Sequence, residues 1–214
     1  MRWLRTFLGV AEPVDERIRR IAALRWVVVD VETSGLDQQS DALLAIGAVA
    51  VRQRRVVVAD SFETVMRQTS SSTRSNILIH GIGEQAQREG VEPREAVRAF
   101  LDYAGPAPLV GFHAHFDRAF LARSVRYHLG LTLTADWLDL AALAPALNPD
   151  VRAKALDEWL DHFGLSVTQR HDASADAFAT AALFLRLLAQ QPPGERDFRS
   201  LQRLALAQRF AGNR

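Results

Sequence analysis

The sequence contains no cysteine. That absence excludes disulfides, thiolate metal sites and cysteine nucleophiles, and it fits a reducing compartment. Lysine is almost missing too, Lys154 being the only one among 26 basic residues. Neither sign of charge is in excess, since 26 Lys and Arg against 25 Asp and Glu leave a formal net charge of +1. The whole chain is therefore no electrostatic magnet for nucleic acid, and any contact with phosphates must come from local groups or bound cations. No hydrophobic run approaches the length of a membrane span, so no membrane partner is expected. The opening "MRWLRTFLGVAEPVDERIRR" faintly resembles a signal peptide, but Arg5 interrupts its apolar stretch and no small-residue cleavage site follows. A mature, cytoplasmic protein is the expectation.

What is present suffices for one sizeable domain with appended ends, since the chain has 214 residues and 48% of them are apolar. Residues 1–24 read as an N-terminal helical extension, with Val14, Ile18 and Ile21 at helical spacing behind Pro13. "RWVVVDVE" (25–32) is β-branched and nearly uncharged until its end, the pattern of a buried strand. "DALLAIGAVAV" (41–51) and "RVVVADSFETVM" (55–66) predict two more strands, joined by the turn "RQRR". Short links between the three predict an antiparallel meander. "RQTSSSTRSN" (67–76) is polar and aperiodic and reads as a mobile loop. Helices are predicted over 92–105, 116–130, near 154–163 and over 173–190, with a short strand at 107–112. After the break "PPGERD", residues 191–214 read as a C-terminal extension whose helix carries Phe198, Leu201, Leu204 and Ala205 on one stripe, expected to pack on the chain's own core. Strands first, then helices alternating with strands, predict a mixed α/β sheet flanked by helices.

Three carboxylate clusters fall at the ends of these elements. Asp30 and Glu32 are two apart in an extended segment, so both point to one face. Side by side they repel unless something positive sits between them. Thr33, Ser34 and Gly35 follow, and the glycine permits a tight turn or close backbone approach to a ligand. In "HDASADAFATAALF" (171–184), Asp172 is a natural helix N-cap, His171 lies just outside the helix, and Asp176 falls in its first turns. Asp117 follows Phe116 at the start of another predicted helix. As structure alone, these are a solvated strand end, a capped helix with a surface aspartate, and a cap. Together they are four carboxylates and a histidine, the inventory for two oxygen-loving divalent cations such as Mg²⁺ or Mn²⁺. Two such ions can hold the attacking and leaving oxygens of a phosphoryl displacement. A histidine, with an ordinary pKa of about 6.5, suits the general base.

In this order, "VVVDVETSGLD", "LLAIGAVAV", "LVGFHAHFDRAFL" and "HDASADAFATAALF" resemble the motifs of the DnaQ-like, or DEDDh, 3′–5′ exonucleases. That family includes the proofreading epsilon subunit of bacterial DNA polymerase III. The His-x4-Asp spacing of the last motif is intact from His171 to Asp176, and "ILIHGI" (77–82) and "LDEWLDHFGL" (156–165) are similar to the family's connecting segments. The match runs from about residue 25 to 190, the extent expected of the exonuclease domain. The resemblance implies an RNase H-like fold and a nuclease that releases nucleoside monophosphates from single-stranded or frayed 3′ ends of DNA, RNA being possible. It implies that Asp30, Glu32 and Asp176 hold one ion, that Asp30 is shared with a second ion supported by Asp117, and that His171 is the base. Thr33, Gly35 and Leu36 would line the terminal nucleotide, with His80 and Phe116 also near the substrate strand. With no second catalytic domain in the chain, proofreading would require a polymerase partner. The sequence departs from the family at Phe112 and His113, where His-Asn is common, and at Ala45, where an acidic or polar residue is common.

Two other readings belong beside this one. "HAHFD" (113–117) resembles the H-x-H-x-D-H signature of zinc-dependent metallo-β-lactamase-fold hydrolases, except that Arg118 replaces the last histidine. That reading leaves "DVETSGL" and "HDASAD" unexplained, and His113 and His115 are expected to be packing or strand-facing residues. The other is a catalytically silent nucleic-acid-binding module of the same fold, which would normally lack a carboxylate. None is missing here.

Overall fold

Valines carry the centre of the sheet. In the computed structural model, which describes residues 25–70, 72–165 and 172–211, β1 (Arg25–Thr33) has Val27, Val28 and Val29 almost wholly out of solvent. It pairs antiparallel with β2 (Leu43–Arg52), which pairs antiparallel with β3 (Arg55–Val65), as the meander pattern predicts. On its other side β1 runs parallel to β4 (Leu109–Gly111), and β4 parallel to β5 (Trp137–Asp139). The order is β3-β2-β1-β4-β5.

Alternation along β1 separates two cores. Val27, Val29 and Val31 face α3 (Pro93–Ala104) and α4 (His115–Leu129), meeting Val97, Phe100, Phe120 and Leu121. Trp26 and Val28 face the opposite way, towards α5 (Leu140–Leu147), α6 (Leu156–His162) and α7 (Ala173–Gln190). There the Trp26 ring meets Phe184 edge-on with centroids 5.0 Å apart. A sheet covered by helices on both faces must be apolar on both, which is why β1 and β2 read as continuous hydrophobic runs. The C-terminal helix α8 (Phe198–Ala211) places Leu201 and Ala205 in the second core, so its stripe packs on the chain itself. The expectation for residues 1–24 falls outside the described residues.

The segment from 67 to 76 is not the free loop its polarity predicts. The Gln68 amide donates to the Gln87 carbonyl (2.7 Å), and the Ser72 amide to Gln87 Oε1 (2.8 Å). Thr73 then caps α1 (Arg74–His80), which ends at Gly81 with φ +70°, and α2 (Glu84–Glu89) follows. Helices α1 and α2, strand β5 and helix α5 go beyond the predicted elements. None of the described helices is long and apolar enough to cross a membrane.

Candidate active site

Strands β1, β4 and β5 run the same way, so their C-terminal ends share one edge of the sheet. Ligand sites of open α/β sheets form at that edge. Asp30 and Glu32 stand near the end of β1 on the face that α7 covers, and a register shift between Glu32 and Thr33 loosens the ladder beyond them. Bulges of this kind re-aim side chains beside active sites.

Helix α7 supplies the third carboxylate. The Asp172 side chain accepts from the Ala175 amide at 2.9 Å, the N-cap its sequence predicts. Asp176, in the first turn, is only 6% exposed rather than a surface residue. Its carboxylate meets those of Asp30 and Glu32, with one oxygen from each lying within 4.8 Å of the others. Gly47 makes this approach possible. It pairs with Asp30 across the sheet, and a Cβ at Gly47 would lie 2.1 Å from the Ala173 carbonyl carbon and 2.3 Å from the Ser174 nitrogen. The sequence reading passed over Gly47, because a close approach between distant segments leaves no local signature.

Asp117 comes from the other face. It is the third residue of α4 rather than its cap, which is Ala114, and it is 4% exposed. Burial pushes its carboxyl up to about 8; Asp139 and Glu32 add to the shift, and the backbone N–H groups of Asp117 and Val31 oppose it. Gly111 leaves room for it, since a Cβ there would stand 3.2 Å from Asp117 Oδ2. Glu32 is raised to about 7, first by burial and then by Asp176 and Asp172.

Both groups therefore take up protons on folding, from ordinary values of 4.5 and 3.8. Their contribution to stability is fully present below those values and is lost as pH rises through about 7 to 8. Metal-free protein in EDTA should accordingly melt several degrees lower at about pH 8.5 than at about pH 5.5. Added Mg²⁺ or Mn²⁺ should reverse the loss, because a cation among these oxygens favours their charged forms. A melting temperature flat with pH, or one that divalent ions leave unchanged at the higher pH, would contradict the assignment. The donor set is all carboxylate oxygen, which suits Mg²⁺ or Mn²⁺ and not a soft metal.

The remaining predicted residues take different places. Leu36 is 84% exposed on the loop after β1. The Thr33 hydroxyl donates to the Gly35 carbonyl at 2.7 Å. The need for Gly35 comes from inside the loop, because a Cβ there would fall 2.4 Å from Asp41 Oδ2. His80 is buried, which pushes its imidazole pKa down; its Nδ1 accepts from the Ile82 amide (3.0 Å), while Nε2 sits 3.2 Å from the Ser72 hydroxyl. It lines a hollow of about 420 Å³ with Ala45, Leu78, Ile79 and Asp172. Ala45 stands across the ladder from Glu32. Phe116 is half-buried, its ring 4.8 Å from that of Phe120. His171 lies outside the described residues.

His113 and His115, expected to pack, are both exposed, and His113 holds a left-handed φ of +59° where β4 turns into α4. Among the described residues, the one group of side chains arranged to hold a metal ion is Asp30, Glu32 and Asp176. His113, His115 and Asp117 of "HAHFD" do not form such a group.

Residues 27–184 match the model of the RNase_T family, described as exonuclease. The chain belongs to the RNase_T exonuclease family. Its resemblance to the DnaQ-like exonucleases is thereby borne out. It is 32% identical over 163 residues to DNA polymerase III PolC-type of Caldanaerobacter subterraneus subsp. tengcongensis, an alignment that covers 76% of this chain. The chain spans only 11% to 12% of the length of the PolC-type polymerases it matches first. E. coli exonuclease I in complex with a dT13 oligonucleotide superposes with a TM-score of 0.66 at 19% identity, covering 78% of this chain and 42% of that one. Exonuclease X in complex with 5′ overhanging duplex DNA gives 0.63 at 21% identity, with 77% and 91% covered. The mixed five-stranded sheet is thus the RNase H-like fold of the exonucleases, as the motifs predict.

Proposed function

We propose that this exonuclease is of the DEDDh type, removing nucleoside monophosphates from single-stranded or frayed 3′ ends by a two-metal mechanism. The observation that carries the reading is the meeting of Asp30, Glu32 and Asp176 at one point from two distant segments. In this reading Asp30, Glu32 and Asp176 hold one divalent cation, and Asp30 and Asp117 serve a second. Such a pair supplies the Lewis acidity that eases ionisation of the attacking water and offsets charge on the leaving oxygen.

The chain's own groups do the rest. His171, just before the Asp172 cap, takes the proton from water. Its order and spacing relative to Asp176 support that role. Leu36, exposed on the loop after β1, offers an apolar face to the terminal base, with Thr33, Gly35, His80 and Phe116 nearer the rest of the substrate strand. Contacts of this kind favour unpaired bases and read no sequence. Single-stranded DNA is the first substrate proposed, in keeping with the oligonucleotide carried by exonuclease I. A DNA polymerase is the proposed partner, since the curated relatives are polymerases.

The test is a 5′-labelled single-stranded DNA oligonucleotide incubated with Mg²⁺, Mn²⁺ or EDTA and resolved on a gel. A ladder shortening from the 3′ end, abolished by EDTA, is expected. His171→Ala should slow it by about 10²–10⁴-fold while retaining Mn²⁺ binding. Intact DNA, and an equally intact 5′-labelled RNA oligonucleotide incubated in the same way, would overturn the proposal in favour of a silent binding module.

A further inference from the structure

The loop between β1 and β2 is short, acidic and held from outside itself. Within it, the Ser34 hydroxyl donates to Asp41 Oδ1 (3.2 Å) and accepts from the Ala42 amide (2.8 Å), while the Asp37 amide donates to Asp41 Oδ2 (2.8 Å). From α1, Asn76 Nδ2 donates to the Ser34 carbonyl. From α4, far along the chain, the Arg123 guanidinium donates to the Gln38 carbonyl at 2.7 Å and also to the Asp41 carbonyl. Its carbon lies 5.0 Å over the Phe120 ring, which fixes the approach of the fork. A planar guanidinium bridges two carbonyls with donors held at a set spacing, where an ammonium on a flexible stem has no such fork.

This clamp holds a loop whose large apolar side chain, Leu36, is 84% exposed and which begins two residues after Glu32. Leu36 gains nothing in folding by pointing into solvent, yet the loop behind it is braced from two helices. A braced loop has already lost the freedom that substrate binding would otherwise have to remove. The loop also carries Asp37 and Asp41, whose charges would repel an incoming phosphate chain, and Arg123 places a cation near Asp37.

We infer that Arg123 is a positioning residue for the exonuclease reaction, pinning the Ser34–Ala42 loop so that Leu36 meets the 3′-terminal nucleotide preformed. The inference rests on the proposed 3′–5′ exonuclease activity. Arg123 acts on the loop through its main-chain carbonyls. Its loss should therefore weaken substrate capture and spare the chemical step.

Arg123→Met keeps the aliphatic stem over Phe120 and removes both donors. Its KM for a single-stranded oligonucleotide should rise about 10-fold, the effect of losing a charge-assisted hydrogen bond, with kcat held within about 2-fold. Arg123→Lys should recover part of the KM and not all of it. Leu36→Ala should raise KM as well, and combining it with Arg123→Met should add little, because the two act on one contact. An unchanged KM in Arg123→Met, a fall confined to kcat, or fully additive effects would each overturn the clamp. Should Arg123→Met fail to fold, hydrogen exchange on the wild-type protein decides: protected Ser34, Asp37 and Asp41 amides support the clamp, and exchange at free-peptide rates overturns it. Wild-type protein inert on every 3′ end would instead sink the exonuclease reading itself.

Discussion

Asp176→Asn should yield a protein that is more stable without metal at about pH 8 and almost inactive as a nuclease. The substitution conserves shape, so the first turn of α7 can stay against β1. It removes one of the two charges that, after burial, hold Glu32 up near 7. Glu32 then ionises more easily, and the like-charge repulsion that weakens the metal-free protein declines. The cation site meanwhile loses a charged ligand. A bound divalent ion contributes several kcal/mol of transition-state stabilisation, and at about 1.4 kcal/mol per decade the turnover should fall at least 10³-fold. Thermal melts in EDTA beside single-turnover cleavage with Mn²⁺ check both halves. Near-normal cleavage by Asp176→Asn would remove this carboxylate from the metal site. A lower melting temperature at about pH 8 would mean that its hydrogen bonds outweigh the repulsion.

Gly47→Ala should damage the site through the fold. The new methyl would overlap backbone atoms of Ala173 and Ser174, and no flexible side chain is there to give way. Helix α7 or β2 must shift, at a cost of about 1–3 kcal/mol or more for overpacking. Asp176 rides on that helix while Asp30 rides on the strand paired with Gly47, so the shift separates the carboxylates. A displacement of about 1 Å can lower rate by 10²-fold. Urea unfolding should show the reduced stability, and the variant that remains folded should bind Mn²⁺ more weakly. Wild-type stability together with wild-type Mn²⁺ affinity would show that α7 need not sit so close.

The elements easiest to read from the residues were those with repetitive patterns. The apolar runs of β1 and β2, the Pro93 and Gly105 boundaries of α3, and the Asp172 cap of α7 each have a local cause and stand where the pattern puts them. Strand β5 has three residues and lies between polar and helical segments, too short to show alternation. Helix α1 exposes Leu78 and Ile79 and buries His80, the reverse of an amphipathic stripe, so its sequence reads as a loop. The site divides in the same way. Its acidic letters were legible through their order and spacing. The burial of Asp117, the clearance at Gly47 and the bracing by Arg123 depend on segments far apart in the chain, and no window of sequence contains them.

The two halves of the acidic cluster lie on opposite sides of that long separation. Asp30 and Glu32 belong to the first strand, whereas Asp176 arrives on a helix that docks across β1 and β2 and comes much later in the sequence. During synthesis the early carboxylates emerge before their partner. The same separation makes the finished site easy to disarm. Fraying of the first turn of α7 would carry Asp176 away while the sheet stayed whole. The carboxylate cluster is therefore complete only while α7 stays docked on β1 and β2.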